Sequence, residues 1–269
     1  MEWEVTEFET RFLDQLEKLP PESWQSNAYN LFMYNEWQPW FHPCQVVDGQ
    51  KLAGFGMLFH FNDVAWLGWI VVDKKYRGNG IGKSISEHLV KEGKKLGADK
   101  LILTATEMGY PIYQKLGFET TSYYHFLTVP ANYRPVFEKS KIRQSTKTDL
   151  TTIGQLDFQA TGEDRTALLE NHLENTFVYV GAKVEGFFID SLGDGFIVAS
   201  NAVAGESLMN FRINKKKKKV VIPEENKNLI EQLIFKGFIE TAKIPRMVLG
   251  SEPNWNPVMI YNRGTGYCG

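Results

Sequence analysis

Cysteine is nearly absent: Cys44 and Cys268 are the only two in 269 residues. Two thiols cannot build a disulfide framework, and no Cys-x-x-Cys pair offers metal-ligand spacing, so no metal is expected. Long apolar runs are missing too. No stretch approaches the ~20 residues of a membrane span, and the acidic start MEWEVTEFE has neither the basic nor the apolar part of a secretory leader. An excess of one charge is also lacking. The chain has 30 Lys+Arg against 32 Asp+Glu, a formal net charge of −2, which exerts no global pull towards nucleic acid or membrane. These absences predict a soluble, cytoplasmic globular protein with no membrane attachment, long enough for one or two domains.

Glycine, by contrast, is concentrated where it matters. Residues Tyr76 to Ser84 read YRGNGIGKS, directly after the apolar run WLGWIVV (Trp66 to Val72) and directly before a helical pattern. Gly78, Gly80 and Gly82 stand at alternate positions and leave the backbone unshielded. A phosphate can approach the amide groups at the start of the following helix, where the helix dipole also favours negative charge. Arg77 and Lys83 bracket the loop with cations. The bland alternative is a tight strand-to-helix turn that binds nothing. Spacing excludes two other cradles. A Walker A loop needs glycine where Arg77 stands, and a G-x-G-x-x-G dinucleotide fingerprint needs glycine where Lys83 stands.

Around this loop the periodicity is clear. Lys51 to Phe61 and Val64 to Val72 read as strands joined at Asn62-Asp63. Ile81, Ile85 and Leu89 recur every four residues, with Ser84, Glu87, Lys91 and Lys94 on other faces, and Gly97 stops the pattern, so a helix is predicted there. Lys100 to Ala105 is a short buried-strand candidate, and GYPIYQKLGFE (Gly109 to Glu119) follows.

The R-x-x-G-x-G pattern of Arg77, Gly80 and Gly82 resembles the acetyl-CoA loop of the GNAT superfamily of N-acetyltransferases. The Y-x-x-L-G-F of Tyr113 to Phe118 resembles that family's helix-to-strand segment, in the family's order and at its distance. Thr104 to Thr106 also fits one branch, although an acidic residue is common where Thr104 stands. The resemblance covers roughly the first 130 residues. Pro130 to Lys141 reads as a linker, and Ile142 to Asp157 again resembles a GNAT opening, a short strand and then a helix opened by Thr148 or Asp149. KGFIETA (Lys236 to Ala242) echoes LGFETT (Leu116 to Thr121), which places Leu233 opposite Tyr113. The counterpart of the loop, Gly193 to Ser207, has no R-x-x-G-x-G.

The resemblance therefore implies an α/β (α+β) protein of two tandem GNAT-like domains, each a twisted mixed sheet flanked by helices. The expected divisions are a catalytic domain over 1–130, a linker over 131–141 and a degenerate domain over 142–269. It resembles bacterial two-domain GNAT proteins with an atypical C-terminal domain. By the same resemblance, acetyl-CoA is the cosubstrate and a small-molecule primary amine the acceptor, with direct transfer in a ternary complex. Ile70, Val71 and Val72 would bond the pantetheine arm and thioester through their backbone. Arg77, Gly78, Asn79, Gly80, Ile81, Gly82, Lys83 and Ser84 would cradle the diphosphate, and Tyr113 would serve the leaving sulfur. A monomer or homodimer is expected, and nucleic acid is not an expected partner. The rival readings are a silent acetyl-CoA-binding or regulatory protein, and an acyltransferase for a larger acyl group or a protein N-terminus.

No motif marks the general base; Asp63, His60, Glu36 and Glu107 are candidates. Tyr34, Trp37, Trp40 and Phe41 could wall an ammonium by cation–π contact or simply cap the core. Lys215 to Lys219 reads as a solvated hairpin tip or strand end rather than a nucleic-acid patch, since no aromatics interleave it.

Overall fold

Two apolar runs separated by a two-residue turn dictate the centre of the first unit. Its strands are β1 (Thr6–Glu7), β2 (Phe41–Asp48), β3 (Lys51–Phe61), β4 (Val64–Val72) and β5 (Lys100–Thr104). Its helices are α1 (Leu13–Leu16), α2 (Ala28–Asn35), α3 (Ile81–Lys95) and α4 (Tyr110–Lys115). These assignments come from a computed structural model that describes residues 3–24 and 27–268. β3 and β4 have the bounds their pattern predicts, and Asn62 between them takes the left-handed conformation that a tight turn needs, φ 54°. β1 to β4 pair antiparallel in chain order, and β5 returns parallel to β4 after the crossover helix α3.

α3 reaches the sheet through the predicted stripe of Ile81, Ile85 and Leu89, all buried. The approach is close because Gly54 and Gly56 of β3 face the helix; a Cβ on Gly56 would stand 2.4 Å from the Ile85 side chain. Leu58, Ala65, Leu67, Leu101 and Leu103 complete this side of the core. Burial of the three stripe residues stabilises the docking by about 5–9 kcal/mol before entropy is counted. The alternate residues of β3 face the other way. There Phe55 meets Phe8 edge-to-face at 5.0 Å between ring centres, and Phe32 of α2 meets Phe41 at 5.2 Å.

The second unit contains β6 (Glu119–Thr128), β7 (Ile142–Gln144), α5 (Leu150–Thr161), α6 (Thr166–Asn171), β8 (Thr176–Val180), β9 (Val184–Ile189) and β10 (Phe196–Ala199). α7 (Ala202–Asn214), β11 (Lys219–Pro223), α8 (Lys227–Phe235), β12 (Ile239–Gly250) and β13 (Ile260–Asn262) follow. One sheet runs β13-β10-β9-β8-β7, and β6 pairs antiparallel with β11. Leu208, Met209 and Ile213 of α7 pack with Phe188, Ile197, Val220 and Ile222. The turn that opens α5 is a capping box of Thr146 and Asp149, with Arg143 bonded to both Asp149 carboxylate oxygens at 2.8 and 2.9 Å. Asp149 takes part as expected, but the hydroxyl comes from Thr146, because only that residue has the extended backbone of a cap.

Residues 131–138 carry neither helix nor strand. The compact units nevertheless divide elsewhere: Met1–Glu119 with Met247–Glu252, and Thr120–Arg246 with Pro253–Gly269. The reason lies in β12, whose final residues complete the first unit beside β5, where Gly250 passes Asp99 so closely that no Cβ would fit. Among the described residues no helix is long and apolar enough to cross a membrane.

Candidate active site

β4 and β5 pair only over Val64–Trp66 and Lys100–Ile102. Beyond Trp66, β4 runs on to Val72 without a ladder to β5, so the two strands splay and Leu67–Val72 lose their partners on that side. A bulge accentuates the splay. Gly68 pairs with Met57 and Val71 with Phe55, so Trp69 and Ile70 oppose the single residue Gly56. Trp69 takes φ 49° there, a left-handed conformation that costs a non-glycine residue roughly 1–2 kcal/mol. Ile70 and Val72 pack towards the α3 side of the sheet. No residue pattern in β4 signals the bulge.

At the tip of β4 the loop turns into α3. Asp73 caps a short 3-10 turn, Lys74–Tyr76, by accepting from the Lys75 amide at 2.8 Å. Arg77 Nε donates to the Val72 carbonyl at 3.1 Å, which ties the loop to the strand end. Tyr76 Oη donates to Asp48 at 2.8 Å, and Trp3 Nε1 donates to the Asn79 carbonyl at 2.9 Å. Gly78 and Gly80 have φ 82° and 85°, and a Cβ on either would meet nothing within 4 Å. Glycine is therefore required by backbone conformation, not by crowding within the chain. Gly80 is the N-cap of α3 and no side chain caps the helix. The amides of its first turn have no intrahelical acceptor, and they stand between Arg77 in the loop and Lys83 in that first turn. Among the described residues Lys83 pairs loosely with Glu87, 3.6 Å, both side chains exposed.

Tyr113 lies on α4, 8% exposed, with its ring edge-to-face against Phe118 at 6.0 Å. Its ring lies against Gly109, where a Cβ would come 2.7 Å from Cε2 and 3.2 Å from Oη. Burial pushes the phenol up to about 12, and a hydrogen bond with Ser86 opposes that rise. Ser86 is wholly buried on α3, one turn after Gly82, and its hydroxyl donates to the Gly82 carbonyl at 2.7 Å. Ser86 and Gly109 were missed in the sequence. A serine beside the Ile85-Leu89 stripe was the available signal for the first; a glycine four residues before the tyrosine was the signal for the second.

Of the base candidates, Asp63 and His60 lie at the wrong end of β4. Asp63 is seven residues before Ile70, about 20 Å along an extended strand, and it pairs with Lys100. His60 Nε2 is satisfied by the Asn62 carbonyl at 2.6 Å. Glu107 is exposed in the loop after β5, and Glu36 ends α2, half-buried. The four candidate wall aromatics do not form one wall. Trp40 and Phe41 are core residues, whereas Trp37 is 90% exposed. The lysine run is also partly spoken for: Lys215 and Lys217 pair with Asp190 and Lys219 pairs with Asp194. Among the described residues no group of three or more His, Cys, Asp or Glu side chains is placed to hold a metal ion.

A family model described as "Acetyltransferase (GNAT) family" matches residues 7–118, and another described as "Acetyltransferase (GNAT) domain" matches 153–262. The chain belongs to the GNAT family of N-acetyltransferases. It is a tandem GNAT protein. The "Uncharacterized N-acetyltransferase YitH" of Bacillus subtilis is 27% identical over 217 residues, 75% of each chain. A protein of Pyrococcus horikoshii proposed to be an acetyltransferase shares the fold with TM-score 0.85 at 21% identity, over 100% of this chain and 96% of that one. A tandem GNAT protein from the clavulanic acid biosynthesis pathway has TM-score 0.63 at 13% identity, over 94% and 99%.

The two GNAT units share local geometry at their L-G-F and K-G-F turns. Gly117 and Gly237 have φ 91° and 87°. The Phe118 amide bonds the Tyr113 carbonyl and the Phe238 amide bonds the Leu233 carbonyl, both at 3.0 Å. Leu233, wholly buried, thus holds in the second GNAT unit the place of Tyr113. The helix start differs as well. Asn201 caps α7 with its own side chain, accepting from the Ala204 amide at 3.0 Å.

Proposed function

We propose that the chain transfers an acetyl group from acetyl-CoA directly to a small primary amine, and that the chemistry belongs to the first unit. One observation carries this reading: an uncapped helix start with two left-handed glycines and two flanking cations sits at the tip of a splayed strand, and Tyr113 packs in the same core cluster as Ile81, Ile85 and Leu89 of that helix. The residues present fit the cosubstrate. The amides of α3's first turn, with Arg77 and Lys83, would hold a diphosphate from Gly78 to Ser84, and the side of Ile70, Val71 and Val72 that has no ladder to β5 would hold an amide-bearing arm. When bound, acetyl-CoA supplies an activated acetyl group as a thioester.

Tyr113 then acts as a hydrogen-bond donor more than as a full acid. A thiol of pKa about 8.5 lies some 3–4 units below this phenol, so complete proton transfer would be uphill by about 5 kcal/mol. A hydrogen bond that strengthens as negative charge builds on sulfur needs no complete transfer. The pairing of Leu233 with a side-chain-capped α7 supports one working site per chain. The test is release of free CoA from acetyl-CoA across a panel of primary amines, amino acids and peptides. Turnover with a small amine is expected. A wild type at background across the whole panel would replace this reading with a silent acetyl-CoA binder.

A further inference from the structure

Glycine does not choose its own handedness. Gly80 has φ 85°, yet glycine takes positive and negative φ about equally readily, so a contact from elsewhere has to select the left-handed form. The peptide between Asn79 and Gly80 can turn over as a unit at little cost to the glycine, and that turn reverses its carbonyl and its amide together. Contacts made inside the loop leave this peptide alone. Arg77 Nε bonds the Val72 carbonyl, and Asn79 Nδ2 donates to the Tyr76 carbonyl at 3.2 Å. The contact that does hold it comes from 76 residues away: Trp3 Nε1 donates to the Asn79 carbonyl at 2.9 Å.

Trp3 is itself anchored. It packs, partly buried, against the α3 side of the core together with Val5, and its ring meets Tyr76 edge-to-face at 6.2 Å between ring centres. β1 follows and pairs with β2, and Tyr76 in turn bonds Asp48, the last residue of β2. We propose that Trp3 is a positioning residue for the cosubstrate cradle: by holding the Asn79 carbonyl it fixes the 79–80 peptide so that the Gly80 amide faces a diphosphate. The inference rests on the acetyl-CoA reading above. In a trans peptide the carbonyl and the following amide point in opposite directions, and no peptide bond among the described residues is cis. With the carbonyl on Trp3, the Gly80 amide points away from the indole. Among the described residues it has no backbone acceptor there, and a Cβ on Gly80 would meet nothing within 4 Å, so this side is open to a ligand oxygen. Turned over, the same peptide would present its carbonyl, whose negative end repels a phosphate.

The test compares the wild type with Trp3→Phe, which keeps an aromatic ring beside Tyr76 but has no N–H. Trp3 is only partly buried, so the variant should keep the fold. Calorimetric titration with acetyl-CoA should show Trp3→Phe binding about three- to ten-fold more weakly, the range for one lost hydrogen bond. Asn79-Gly80 is the only Asn-Gly step in the chain, so isotopic labelling of the asparagine carbonyl carbon and the glycine nitrogen reports that peptide as a single NMR resonance. It should be sharp in the free wild type. In free Trp3→Phe it should be broadened by exchange between two orientations, and saturating acetyl-CoA should sharpen it again. With an accepted amine, the KM for acetyl-CoA should rise by the same factor while kcat stays within about two-fold. A resonance in free Trp3→Phe as sharp as that of the wild type overturns the proposal, because something else then holds the peptide. A fall in kcat as large as the rise in KM would make Trp3 merely structural. A wild type that binds acetyl-CoA beside an equally tight Trp3→Phe overturns this proposal alone, whereas a wild type that does not bind acetyl-CoA overturns the cradle on which it stands.

Discussion

Replacement of Gly80 by aspartate, with asparagine as the neutral control, separates the two reasons for glycine in the loop. Gly80 has φ 85° and nothing within 4 Å of a Cβ, so neither side chain clashes with the protein. Both residues tolerate left-handed backbone better than most, at a cost of roughly 1 kcal/mol shared by the two variants. Their difference is one negative charge. A carboxylate about 5 Å from a single phosphate charge is repelled by about 0.8 kcal/mol in a water-like medium and by about 3 kcal/mol at an effective dielectric constant of ~20. Gly80→Asp should therefore bind acetyl-CoA roughly four-fold to two-hundred-fold more weakly than Gly80→Asn, and the gap should narrow as salt rises. Calorimetric titration of both folded variants at two ionic strengths reads this directly. Equal affinities for the two would show that no phosphate lies at the start of α3, and the cradle would be refuted.

Tyr113→Phe should leave folding and acetyl-CoA affinity unchanged while turnover falls ten- to a thousand-fold, the range for one lost transition-state hydrogen bond; steady-state kinetics with an accepted amine checks it. Gly109→Ala should displace the ring of Tyr113, since the new methyl group would sit within 2.7 Å of it; turnover should drop while the circular dichroism spectrum stays native, and an unaffected rate would mean that the ring position does not matter. Because Leu233 stands in place of the tyrosine and Asn201 caps α7, titration should give one acetyl-CoA per chain, and two equivalent sites would contradict it. His172 is pulled down to about 4 by burial. Its folded value lies below its unfolded one, so the neutral ring contributes stability that is present above about pH 6.5 and lost as pH falls towards 4, at most about 3 kcal/mol. Thermal melts between pH 7 and 4 should show a shallower acid slope for His172→Asn than for the wild type.

Much of this protein is determined by short-range pattern. The hairpin of β3 and β4, the stripe of α3 and the stop at Gly97 follow from periods of two or about four residues and from turn chemistry, whereas the helix that carries Tyr113 was legible only through the family resemblance of its Y-x-x-L-G-F segment. These are interactions among neighbours in the chain, so the residues themselves state them. The glycine loop before α3 was legible for the same reason: left-handed backbone at Gly78 and Gly80 is a local demand that only glycine meets without strain. What only the tertiary structure decided depends on residues far apart in the chain. Ser86 looks like a tolerated polar residue until α4 brings a phenol to it, and Gly109 looks like a linker glycine until the ring settles against it. The bulge at Trp69 and the splay of β4 from β5 arise from pairing across strands, where register is set by partners and not by composition. That Asp63 and His60 lie at the opposite end of the β3–β4 hairpin from the glycine loop is likewise a matter of the folded strands and not of any motif. The return of β12 to the first unit, more than a hundred residues after β5, is a choice of sheet neighbour. An apolar strand sequence specifies that it will pair, but the free energy of pairing is gained against whichever edge the rest of the fold presents, and that edge is not written in the strand itself.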